Sequence, residues 1–134
     1  MGRTATALVG FGGWFALLSI VVGIYRLRFV VGQRKPVNTF ATDGRDLDPL
    51  GHRLTRARDN CYETLPVFAA LALGASISGR LDVTDPLAMW VLYARIGQSL
   101  THIASTSVPA VQVRAAFYFI QILIYAWWAI HLLA

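Results

Sequence analysis

A single cysteine, Cys61, in a chain of 134 residues leaves no partner for an intramolecular disulfide and no basis for a multi-cysteine zinc or iron–sulfur site. The three histidines, His52, His102 and His131, are scattered without metal-ligand spacing, so no metal is expected. Asp43 to Asp48 is acidic, but the spacing of a calcium-binding EF-hand is absent and the stretch reads as a solvated loop. Charge is scarce: 14% of residues are Asp, Glu, Lys or Arg, against about 25% in ordinary soluble domains. There is no internal repeat and no low-complexity tract.

What fills the chain is apolar. Hydrophobic residues make up 56%, and the mean hydropathy is +0.54. A spanning helix needs roughly 20 mostly apolar residues, so the length holds about four spans with short connections and little chain for a soluble domain. The expectation is an all-α integral membrane four-helix bundle forming one domain over residues 1–134. The net charge of +5 could suit nucleic acid, but the basic residues cluster between apolar spans, so no nucleic-acid partner is expected.

The first span runs from about Ala5 to Val31 and precedes a basic segment, which differs from a cleavable signal peptide, so it is expected to stay uncleaved. Gly32 to Leu47 is polar and rich in turn residues. Asp48 followed by Pro49 reads as an N-cap with proline at the first helical position, opening a second helix to about residue 79 that Pro66 should kink. Thr84 or Asp85 before Pro86 repeats the signal for a third helix, to about Ser105. The fourth runs from about Val111 to Leu133.

Arg26, Arg28, Arg34, Lys35, Arg45, Arg53, Arg56 and Arg58 surround the first connection, whereas the second holds Arg80. That asymmetry places the first connection on the cytoplasmic side. The short chain without an evident retention tail favours a bacterial inner membrane over an endoplasmic reticulum.

Ionisable groups within a bilayer are costly unless paired or facing protein, so their angular positions carry information. At 100° per residue Arg53, Arg56, Asn60 and Glu63 fall within about 80° on the second helix. Arg95, Gln98 and His102 share about 60° on the third, and Arg114, Tyr118, Gln121 and Tyr125 do so on the fourth. Snorkelling arginines or a structural Glu63–Arg95 pair would account for single residues. Their convergence from three helices instead suits a small anionic peptide, with Arg for carboxylates and Glu or Asn for an ammonium or amide.

The run Arg53-Leu54-Thr55-Arg56-Ala57-Arg58-Asp59-Asn60-Cys61-Tyr62-Glu63-Thr64-Leu65-Pro66 resembles the signature R-x-x-R-A-x-x-N-x-x-E-x-x-P of the MAPEG family, the membrane-associated proteins of eicosanoid and glutathione metabolism. Arg26 and Arg28, Arg95 and Arg114 also stand where family members carry arginines. The resemblance implies a homotrimer of four-helix protomers holding glutathione between subunits near the cytoplasmic face. It also implies that Arg56, Asn60 and Glu63 bind the tripeptide, that Arg26 reaches a carboxylate from the neighbouring protomer, and that Arg95 supports Glu63. Arg114 would be the catalytic group favouring the glutathione thiolate, since an adjacent cation lowers a thiol pKa from about 8.5. Tyr118 would line the same pocket. Gln98 and His102 depart from the Tyr or His and the Tyr common at those places, yet keep hydrogen-bonding capacity. Arg56 and Glu63 are retained, unlike in the non-catalytic branch.

The activity so implied is glutathione transfer to, or glutathione-dependent peroxide reduction of, a lipophilic electrophile arriving through the bilayer. A non-enzymatic lipid-binding or scaffold protein of the same fold stays open because of Gln98 and His102. Arginines beside Glu63 argue against a cation exporter. Cys61 reads as packing, His52 and His131 as surface or interface residues, and Tyr125, Trp127 and Trp128 as an interfacial aromatic belt. Gly10, Gly12, Gly13 and Gly23 permit close helix contact.

Overall fold

A computed structural model describes residues 1–134 and contains four helices and no strands: α1 (Arg3–Gln33), α2 (Pro49–Ile77), α3 (Leu81–Ala104) and α4 (Val108–Leu133). α2 and α3 pack together at the centre. α1 lies on both of them, α4 lies on α3 and more lightly on α2, and the backbones of α1 and α4 do not approach one another closely.

Helix starts follow local chemistry. Asp48 caps α2, its side chain accepting from the Gly51 N–H at 2.8 Å, with Pro49 at the first position. α2 then runs unbroken through Pro66. Ser107 caps α4, its hydroxyl accepting from the Ala110 N–H, and Pro109 sits in the first turn. α4 therefore opens a few residues before the Val111 read from the sequence.

α3 differs more. It begins at Leu81, so Pro86 lies inside the helix. Asp85 caps a different helix: its Oδ1 accepts from the backbone N–H of Thr4 at 2.8 Å and from the Thr4 hydroxyl, while Thr4 and Thr84 hydroxyls meet at 2.8 Å. The start of α1, whose own Gly2 has no capping side chain, is thereby satisfied from α3.

The core centres on aromatics. Phe68 stacks on Trp128 and Tyr125 with centroids 5.9 and 6.2 Å away, and Phe11 closes on Phe68 at 5.3 Å. Trp128 and Tyr125 are buried there, so the belt expected near the end of α4 reduces to the exposed Trp127. They point inward because they continue the face that carries Gln121, at spacings of four and seven residues. Of the expected glycine contacts, only Gly10 makes one: a Cβ there would come within 2.7 Å of Leu92, whereas Gly12, Gly13 and Gly23 face open space.

Only 29 of the 134 residues are buried, so most apolar side chains of α1 and α4, Ile20 and Leu123 among them, face outward. α1 and α4 are long and apolar enough to cross a membrane. At about 1.5 Å per residue the 31 residues of α1 reach about 45 Å, beyond the roughly 30 Å hydrocarbon core. An outward apolar surface on such helices is what lipid rather than water accommodates.

Candidate functional site

Where α2 begins, α3 ends and α4 begins, the three helices leave an open groove of about 500 Å³. Its wall includes Arg56 and Asn60 from α2, Gln98 and His102 from α3, and Arg114 and Tyr118 from α4, together with His52, Arg53 and Thr106. Three stripes separated by tens of residues thus meet at one end of the bundle. The groove carries no carboxylate, and Arg56 and Arg114 form no ion pair within the chain. Such a concave, cationic surface suits a ligand bearing several negative charges.

The groove's neutral groups are fixed by hydrogen bonds. The Asn60 side-chain amide lies 3.0 Å from His102 Nδ1. An amide nitrogen only donates, so Nδ1 accepts and the proton of the neutral imidazole stays on Nε2. Gln98 accepts at Oε1 from the fully buried Gln121 Nε2 at 3.0 Å. Arg53 donates from Nε to the carbonyl of Ile103 at 2.8 Å, holding the end of α3 against α2. On α3, Gly97 lets Phe117 of α4 approach, since a Cβ there would lie 2.9 Å from the Phe117 ring.

Arg95, Glu63 and Arg26 do not line the groove. Arg95 is fully buried beneath it, donating to the Asn60 carbonyl at 3.1 Å and to the Thr64 hydroxyl at 2.6 Å, with its guanidinium 5.4 Å from the Phe11 ring centroid. It makes no ion pair with Glu63 and bonds the α2 backbone at Asn60 instead. Glu63 is exposed, without an ion-pair partner in the chain. Arg26 is held by the first connection, donating to the carbonyls of Ala41 and Thr42 and lying over the Phe40 ring. Lys35 covers Phe40 as well and pairs with Asp46 at 3.2 Å, so this loop is folded against α1 rather than merely solvated.

Below the groove, Cys61 is buried with Sγ 3.5 Å from the Ser99 hydroxyl, as a packing residue would be. Tyr125 and Gln121 belong to the core, which leaves Arg114 and Tyr118 as the part of the α4 stripe that reaches the opening. His52 lines the groove although the stripe drawn from the sequence began only at Arg53. It lies four residues before Arg56, as Arg56 lies four before Asn60, so the same helical periodicity contains it.

Neither a curated protein nor a solved structure matches the chain. The sequence model of one family matches residues 4–134, a span that contains every groove residue and nearly the whole bundle. The chain belongs to the MAPEG family.

Proposed function

We propose that the protein is a membrane-bound glutathione transferase or glutathione-dependent peroxidase, with glutathione held in the groove between α2, α3 and α4. The family includes glutathione transferases and related proteins. The observation that carries the reading is the convergence of Arg56, Asn60, Gln98, His102, Arg114 and Tyr118 on one groove. Its volume of about 500 Å³ lies within the roughly 300–1,000 Å³ of small-molecule sites. Arg53, Arg56 and Arg114 supply cations for two carboxylates and a thiolate.

Arg114 is the catalytic group in this account. Its guanidinium favours the thiolate over the thiol, and the thiolate either displaces a leaving group at carbon or attacks a peroxide oxygen, breaking the O–O bond to release an alcohol and a sulfenic acid that a second glutathione converts to the disulfide and water. His102 presents Nε2–H, and Tyr118 offers a hydroxyl at the mouth.

The ammonium of glutathione calls for an anionic acceptor, and the groove wall holds no carboxylate. Glu63 supports this role: it is an exposed carboxylate three residues beyond Asn60 on the same flank of α2. Such a group on a membrane helix costs several kcal/mol unless a ligand or a neighbouring protein answers it. A homotrimer with glutathione between protomers, completed by Arg26 of a neighbour, supplies both. The lipophilic co-substrate reaches this site from the bilayer, and the bundle is oriented with its first connection in the cytoplasm of a bacterial inner membrane.

The test is glutathione affinity in detergent for Glu63→Gln and Arg56→Ala. Each is expected to weaken binding at least tenfold, since removing one charged hydrogen-bond partner costs about 1.5–3 kcal/mol. Unchanged affinity in both would overturn the assignment.

A second hollow, of about 450 Å³, is lined wholly by apolar side chains, Trp90, Tyr93 and Phe117 among them. It favours lipid binding as the alternative activity. Tight binding of a lipophile without any binding of glutathione would select that reading.

A further inference from the structure

We propose that His52 is a ligand-binding residue of the groove, making a proton-dependent contact to an acidic group of the ligand. This rests on the glutathione reading of the site and adds a residue and a pH dependence to it.

His52 sits in the first turn of α2, half-buried, on the wall it shares with Arg53, Arg56, His102 and Arg114. Its Nδ1 lies 2.9 Å from the Asp43 backbone carbonyl. A carbonyl only accepts, so Nδ1 carries a proton in every charge state that keeps this bond. In the neutral ring Nε2 therefore bears a lone pair, which repels a carboxylate. Protonation turns Nε2 into a charged donor. His102 has the opposite arrangement, because its Nδ1 accepts from Asn60 and its Nε2–H donates already in the neutral form.

The surrounding charges couple proton and ligand. Sharing the groove wall with His52 are Arg53 and Arg56 of α2, His102 of α3 and Arg114 of α4, with no carboxylate in the lining. Two acids lie close by in the chain: the Asp43 side chain is turned to Arg45, accepting from its backbone N–H at 3.1 Å, and the Asp48 side chain, one turn before His52, accepts from the Gly51 N–H and the Tyr25 hydroxyl. A dianion placed against Nε2 gains a charged donor when His52 is protonated, so protonation favours the dianion and by reciprocity the dianion favours protonation. Histidine is the side chain whose charge ordinarily changes between about pH 5 and 8. The groove thus prefers anionic peptides most strongly on the acidic side of neutrality.

S-hexylglutathione is the probe, because its capped sulfur cannot ionise while its carboxylates keep their charge through this range. Calorimetric titration of the detergent-solubilised protein should show affinity rising about tenfold from pH 8 to pH 6, in the usual range of coupling between sites. His52→Gln, which retains an N–H for the Asp43 carbonyl, should bind with less than about a twofold change over the same range. His102→Gln should change the absolute affinity and keep the rise. A rise of equal size in His52→Gln, or a flat profile in the wild type, would overturn the role of His52 while leaving glutathione binding intact. No binding of the probe at any pH would instead remove the glutathione reading, and this inference with it.

Discussion

Asn60 and His102 meet across the α2–α3 interface with the amide nitrogen 3.0 Å from Nδ1, and the carbonyl of the same Asn60 receives a hydrogen bond from the buried Arg95. One residue thereby ties the orientation of a groove imidazole to a cation in the interior. The buried guanidinium is answered by a carbonyl, a hydroxyl and an aromatic face in place of a carboxylate. Arg95 therefore braces α2 from the interior at Asn60 and Thr64.

His102→Phe keeps an aromatic ring but removes both nitrogens, leaving the Asn60 amide unpaired and the groove short of one donor. Glutathione affinity is expected to fall about 3- to 10-fold, the equivalent of roughly 0.5–1.5 kcal/mol for one hydrogen bond. Calorimetry checks this; an unchanged affinity would mean that His102 does not touch the ligand.

Thr64→Val is nearly isosteric and deprives Arg95 of its hydroxyl acceptor at 2.6 Å. An unsatisfied buried donor on a charged group costs about 1–3 kcal/mol, so the thermal midpoint in detergent should drop by several degrees. An unaltered midpoint would show that the hydroxyl bears none of the guanidinium's hydrogen-bonding need.

Asp48 lies outside the bilayer at the start of α2. The Tyr25 hydroxyl and the Gly51 N–H donate to its carboxylate and hold its pKa below the ordinary carboxylate value. A group so depressed stabilises the fold fully above its unfolded pKa of about 3.9, and the contribution is lost as pH falls through the lower folded value. Asp48→Ala should cost about 0.5–2 kcal/mol at neutral pH, as loss of an N-cap does. Thermal melts of wild type and variant should begin to converge below about pH 4 and close as pH falls through the lower folded value. A gap that persists there unchanged would exclude the charged cap as its source.

Much of this organisation was legible in the chain itself. The Asp48–Pro49 start of α2 and the placement of Arg56, Asn60, Gln98, His102, Arg114 and Tyr118 on facing stripes follow from capping chemistry and a 100° periodicity, both of which are local. What was not legible is tertiary. Asp85 and Pro86 carry the marks of a helix start, but Asp85 spends its carboxylate on Thr4, a residue 81 positions away. Arg95 and Glu63 share the sequence pattern of an ion pair, yet Arg95 is buried against the Asn60 carbonyl and the Thr64 hydroxyl while Glu63 is exposed. Trp128 and Tyr125 look like an interfacial belt until the inward face of α4 is fixed by Gln121 and Phe68. His52 was within reach of the same periodicity that found Arg56 and Asn60.

The central claim is that Arg114 turns bound glutathione into a thiolate. Ultraviolet difference absorbance of the detergent-purified protein, titrated with glutathione near neutral pH, reads this directly through the thiolate band at roughly 240 nm. The account predicts a saturable band in the wild type and, in Arg114→Ala, glutathione binding largely kept with the band and turnover reduced. A band of full size in Arg114→Ala, with turnover equal to the wild type, would contradict it.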